Sequence, residues 1–143
     1  CCDFIYAAEN ARFALTEARL GIIPGAGGTQ TIARAVGERR AKELIMSAEP
    51  FDAHAAAEWG LVNMVVSQSE LRSTVLRRAE TIAANAPLAV RQGKQSIHRG
   101  LQMSISDGMA FEIEAYNRLV PTADRMEGVL AFNEKRSPQF EGR

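Results

Sequence analysis

The chain has 143 residues, with Lys+Arg and Asp+Glu both at 17, 46% apolar residues and 6% aromatics. That balance fits a globular protein and excludes a charged disordered tail, a mucin-like stalk and a collagen-like rod. A formal net charge of zero counts against nucleic acid as the main partner, because neutralising phosphates takes a basic face.

The chain opens in the middle of a strand pattern, residues 2–8, where Phe4, Ile5 and Tyr6 carry β-propensity. With no Met at its start, it is expected to be a processed chain or part of a longer one. Residues 11–16 form a second strand candidate, because Ala11, Phe13 and Leu15 alternate. Residues 20–29 hold four glycines and Pro24, a turn-rich loop between apolar anchors. Thr29 is expected to cap the helix that follows. Gly37 breaks that helical stretch into two. Asp52 starts a very short helix that Gly60 stops, and Leu61–Val66 is a further strand candidate.

The rest reads as helix. Ser67 or Ser69 caps a helix with Leu71, Val75, Ala79 and Ile82 on one face. Pro87 suits the first turn of the next helix, which Gly100 ends. A long helix from about Ser104 to Leu119 carries the stripe Ile105, Met109, Ile113, Tyr116 and Val120, expected to pack within the chain or against another subunit. Pro121 ends it, and Thr122 or Asp124 caps a final helix with Met126, Leu130 and Phe132. An extended tail follows. The pattern predicts the end of an α/β unit over residues 1–66, followed by a helical region over 67–143.

Chemistry has few places to sit. Cys1 and Cys2 are adjacent, which disfavours mutual pairing and matches no metal motif, so both are expected as thiols in a reducing compartment. The longest apolar stretches fall far short of a membrane span. His54 and His98 lack nearby ligands, so no metal site is expected, and the serines and threonines lack a nucleophile-elbow context. Basic residues at 34–42 and 72–78 read as solvated helix faces in which Glu38 pairs with Lys42. Trp59 reads as a core anchor.

Two features stand out. Gly25-Ala26-Gly27-Gly28 lacks both the Gly-Lys-Ser/Thr ending of a P-loop and the dinucleotide spacing. It is either a tight turn feeding a helix or a loop whose backbone must approach a bound group. Glu17 lies among Phe13, Leu15, Ala18 and Leu20. It is either a surface residue between apolar contacts or a functional acid. A carboxylate enclosed by apolar groups holds its proton more tightly, which suits proton transfer near neutrality.

The segments Asp3–Phe13, Thr16–Gln30 (Thr-Glu-Ala-Arg-Leu-Gly-Ile-Ile-Pro-Gly-Ala-Gly-Gly-Thr-Gln) and Gly60–Val62 resemble the enoyl-CoA hydratase/isomerase, or crotonase, superfamily. So does the closing segment Pro121–Phe140, and the likeness spans essentially the whole chain. Thr16-Glu17 and Lys42–Ile45 look most like the methylglutaconyl-CoA hydratase branch. The resemblance implies an α/β fold, the C-terminal part of a crotonase-type β-β-α spiral followed by a helical trimerisation region, assembled as a trimer or a dimer of trimers.

It also implies an enoyl-CoA hydratase, in which two glutamates add water across the α,β double bond of an acyl-CoA thioester. An enoyl-CoA isomerase or another crotonase-type acyl-CoA enzyme is the alternative. Glu17 aligns with the second glutamate, and Pro24 and Gly25 align with pocket backbone near the water. Phe132 and Lys135 match positions that meet the adenosine and phosphate part of CoA, often from a neighbouring subunit. No separate cofactor is implied, since CoA is part of the substrate. The first glutamate and both oxyanion-hole donors align before residue 1, so these 143 residues are expected to be inactive alone. RNA binding and a catalytically reduced assembly role are further alternatives, with nucleic acid and membrane not expected as partners. Location is expected to be the cytoplasm in a bacterium and the mitochondrial matrix in a eukaryote.

Overall fold

The computed structural model describes residues 2–143, so Cys1, and with it half of the adjacent-cysteine expectation, lies outside the described residues. Cys2 is an exposed free thiol. The chain divides into two compact units, one ending at Leu76 and the other running from Arg77 to Arg143.

The first unit is α/β. Strand β1 (Tyr6–Ala8) pairs in parallel with β4 (Met64–Val66), with Ala7 opposite Val65. Ile5 and Asn63 extend the pairing through two 2.8 Å hydrogen bonds, one of them to the Asn63 side chain. Strand β2 (Arg12–Phe13) pairs antiparallel with β3 (Phe51–Asp52), which sets the Phe13 and Phe51 rings 5.7 Å apart in a stack. The three expected strands are shorter than the sequence pattern predicts, the runs at 2–8, 11–16 and 61–66 each keeping two or three residues, and β3 is a strand the pattern did not mark. Propensity marks where a strand can form, but its length is set by how many residues find a paired neighbour.

The helices follow the punctuation more closely. Helix α1 (Gly28–Val36) and α2 (Glu38–Ser47) are separated at Gly37, whose φ of 80° favours glycine. The Thr29 cap is corrected: Thr29 lies inside α1, and Gly27 is the N-cap residue. Helix α3 (Ala53–Glu58) starts as expected, the Asp52 carboxylate accepting from Ala55 N–H at 2.8 Å. That backbone donor, more than nearby Arg12, holds Asp52 below its usual carboxylate range against an opposing effect of burial.

Buried Ala7, Leu44, Phe51, Ala53, Ala56 and Val62 form the core. Small alanines let the α3 backbone come close to the strands. Trp59 packs against this core, its ring 5.3 Å from Phe51 with the Arg40 guanidinium 4.4 Å from its centroid.

The second unit is helical. Helix α4 (Leu71–Ala83) crosses the boundary into it, followed by α5 (Pro87–Gly100), α6 (Ile105–Leu119) and α7 (Ala123–Glu134). Ser104 caps α6 by accepting from Asp107 N–H, and Thr122 rather than Asp124 caps α7 by accepting from Arg125 N–H. Helices α5 and α6 approach so closely that a Cβ on Gly108 would lie 3.4 Å from Gly100 Cα. Among the described residues the α6 stripe is largely exposed: Ile105 is 82% exposed, Met109 59%, Ile113 60% and Tyr116 65%.

Candidate active site

Glu17 opens a single 3-10 turn, Glu17–Leu20. Gly21, at φ 75°, closes the turn, and Ile22 N–H returns to Glu17 O at 3.2 Å. The chain then runs through exposed Ile22 and Ile23 to buried Pro24, and through exposed Gly25 and Ala26 to Gly27. Gly27 has φ 88°, and its carbonyl accepts from Gln30 N–H, Thr31 N–H and the Thr31 hydroxyl.

The glycines of the loop differ in how much room they have. A Cβ on Gly25 would meet nothing nearer than 3.8 Å, whereas one on Gly28 would lie 2.7 Å from Pro24 Cβ and 3.4 Å from Leu15 Cδ2. Real Cβ atoms do not approach that closely, so Gly28 is where the loop folds back onto the residues just before Glu17. The Gly27-Gly28 pair at a helix start was the signal for this, but spacing alone does not show which glycine is crowded.

Within that arrangement Glu17 Oε2 is shielded from solvent and has no hydrogen-bond partner among the described residues. Burying a carboxylate oxygen without a donor is unfavourable, and native proteins satisfy nearly all such atoms. Glu17 thus keeps an acceptor oxygen that no described residue uses.

Glu17, Pro24 and Gly25 all belong to the first unit. Phe132 and Lys135 belong to the second, three residues apart at the end of α7. Phe132 is 84% exposed, and Lys135 is the C-cap residue, also exposed.

Sequence reasoning passed over a pair of acids on α7. Asp124, 3% exposed, accepts from Glu141 N–H at 2.7 Å and Gly142 N–H at 2.9 Å. Glu127 accepts two guanidinium bonds from Arg136 at 2.6 and 2.9 Å and one from Gln139 N–H at 2.8 Å. Together these hold the tail against α7. Their signal was present only as Asp124 in a capping role.

Other candidates are accounted for locally. His54 and His98 are exposed, and no cluster of three metal-ligating side chains occurs among the described residues. Lys42 pairs with Glu38, which that hydrogen bond holds below its usual range, and Arg34 reaches back to Gln30. An open hollow of about 600 Å³ between Gly37, Arg39, Arg40 and Trp59 contains none of the expected site residues. No helix among the described residues is long and apolar enough to cross a membrane.

An α/β unit with a half-buried acid at a glycine turn, followed by a helical unit, is the arrangement the crotonase resemblance implies. Residues 1–143 match the enoyl-CoA hydratase/isomerase family, and the chain belongs to that family. It is 47% identical over 135 residues to the short-chain-enoyl-CoA hydratase of Clostridium acetobutylicum, covering 94% of this chain and 52% of that protein. Human mitochondrial methylglutaconyl-CoA hydratase is 41% identical over 145 residues, covering 99% of this chain and 43% of that protein. The crystal structure of an enoyl-CoA hydratase from Bacillus anthracis matches with a TM-score of 0.98 at 46% identity, over 99% of this chain and 55% of that one. The chain thus spans about half the length of the curated relatives it matches. The methylglutaconyl-CoA branch is among its relatives, beside hydratases named for other acyl groups.

Proposed function

We propose that this chain forms part of an enoyl-CoA hydratase subunit that adds water across the α,β double bond of an acyl-CoA thioester. The observation that carries the reading is Glu17, whose Oε2 is shielded and unpartnered two residues after Leu15, the side chain that Gly28 crowds. In this reading Glu17 delivers a proton to the α-carbon or shares in activating the water. A second carboxylate and the donors that stabilise the enolate-like oxygen come from elsewhere in the subunit. Pro24 and Gly25 supply pocket backbone.

Phe132 and Lys135 meet the adenosine and phosphate part of CoA, an exposed ring and cation suited to a flat base and an anion. The chemistry calls on no separate cofactor. The exposed α6 stripe fits an oligomeric contact, a homotrimer or a dimer of trimers. The same machinery with its acid and base differently placed would serve an isomerase, which is the second reading. Relatives named as mitochondrial and relatives from bacteria support a matrix or cytoplasmic location according to source.

The test gives crotonyl-CoA to the whole protein and follows loss of the conjugated thioester absorbance. Glu17→Gln should lower kcat by about 10²–10⁴-fold, the range for losing a proton-transfer group. The 143 residues alone should show no turnover. Undiminished turnover by Glu17→Gln would overturn the assignment.

A further inference from the structure

Lys135 has φ 56°, in the left-handed region where glycine sits without strain. Among the described residues only one other non-glycine residue, Ala48, has a positive φ, and Ala48 is buried. Lys135 is exposed, so packing of its side chain does not compensate the conformation. Such strain persists where the surroundings impose it, and it gathers where a side chain has to be presented in one direction.

The surroundings are specific. Lys135 N–H donates to Phe132 O at 3.3 Å, and Arg136 N–H donates to Ala131 O at 3.0 Å. Arg136 then reaches back along α7 to grip Glu127 with two guanidinium N–H groups, while its Nε donates to Glu134 at 2.6 Å. Glu127 also holds Gln139 N–H, so one carboxylate anchors the chain on the far side of Lys135 at two points. The Lys135 ammonium itself engages no hydrogen bond or ion pair among the described residues. Every neighbouring charge, Glu127, Glu134 and Arg136, is committed to holding the turn.

We propose that Glu127 and Arg136 are positioning residues: their two-pronged pair fixes the left-handed turn that presents the Lys135 ammonium, beside exposed Phe132, to a phosphate of the CoA moiety. This rests on the CoA reading of Lys135 above. Neither Glu127 nor Arg136 touches substrate; both act through Lys135.

The experiment compares an enoyl-CoA with the same acyl group on pantetheine, which lacks the adenosine and its phosphates, using the whole enzyme. Glu127→Gln should raise KM for the CoA thioester roughly threefold to tenfold, the scale of one partly exposed charge contact, with kcat within about twofold. The KM for the pantetheine thioester should not move. Lys135→Ala should show the same selective loss, and the double variant should be no worse than Lys135→Ala alone. Should Glu127→Gln fail to fold, Arg136→Lys, which keeps the charge and loses the paired grip, carries the same expectation.

Equal losses on both substrates, or losses that multiply in the double variant, would reduce the pair to general support of α7 and overturn the inference. A selective Lys135→Ala with an inert Glu127→Gln would sink the positioning role while leaving the CoA contact standing. An inert Lys135→Ala would sink both.

Discussion

The two units solve the problem of staying folded in different ways. In the first, aromatic rings and close-packed alanines carry the structure: Phe13, Phe51 and Trp59 form a chain of ring contacts, and Ala53 and Ala56 are wholly buried. Apolar burial of this kind holds strands that are only two or three residues long. In the second, the buried positions are Ala115, Ala131 and Asp124, while large apolar side chains on α6 and α7 face outward. There the tail is fixed by charge-assisted hydrogen bonds to Asp124 and Glu127. The difference teaches that a helical unit with its apolar stripe uncovered can still be locally ordered by polar latches, and that such order answers to other perturbations than a packed core does.

The largest effect that would break the comparison lies in the first unit. Gly28→Ala places a Cβ against Pro24 Cβ, with no flexible side-chain end to yield. Overpacking of this kind costs about 1–3 kcal/mol. The loop must open away from Leu15, so thermal unfolding should move downward, and turnover should fall if the shift reaches Glu17 two residues on. Gly25→Ala, which meets only open space and one backbone oxygen at 3.8 Å, should leave unfolding nearly unchanged. If the two variants behave alike by calorimetry, crowding at Gly28 is not what shapes the loop.

These contrasts show what the sequence made legible. Helix starts and stops were readable because they depend on local chemistry: Asp52 capping α3, Gly37 separating α1 from α2, Pro87 opening α5 and Pro121 following α6. The acid at Glu17 and the glycine turn were readable as a pair because they lie close in sequence. Three things were not readable. The strands ended early because pairing between residues some 40 to 60 apart, such as Phe13 with Phe51 or Ala7 with Val65, decides their length. The crowded glycine was Gly28 because Leu15 and Pro24 converge there in space. The α6 periodicity gave the apolar face and said nothing of what lies against it.

In the second unit the next effect is Asp124→Ala. It removes a buried acceptor and leaves the Glu141 and Gly142 N–H groups unpaired, a loss of about 1–3 kcal/mol. The tail should become cleavable by trypsin at Arg136 while the first unit resists digestion. A tail as protected as in the parent protein would mean that the Phe140 ring against Gly128, and not Asp124, holds it. A smaller effect belongs to the α6 cap. Ser104→Ala loses one acceptor for Asp107 N–H and should lower stability by about 1 kcal/mol in urea unfolding, without touching activity.

The smallest effect is the pH response of the Glu127 latch, and its sign follows from linkage. The Arg136 guanidinium, then Gln139 N–H, pull the Glu127 carboxyl down from 4.5 to about 2 in the folded protein. Between those values the unfolded chain binds a proton that the folded one does not, so stability rises with pH there. The contribution is fully present above about 4.5 and is lost as pH falls through about 2. Arg136 stays protonated throughout, its guanidinium being held further toward the charged form. Urea midpoints of the parent and Glu127→Gln, measured from pH 7 to pH 3, should therefore converge steadily below about 4.5. Because the pair is partly exposed, added salt should narrow the gap at neutral pH as well. The Phe13–Phe51–Trp59 cluster has no group that titrates in this range, so Phe51→Leu should differ from the parent by a constant amount across the same series. Parallel curves for Glu127→Gln would show that the tail is held by packing after all, and would erase the contrast between the two units.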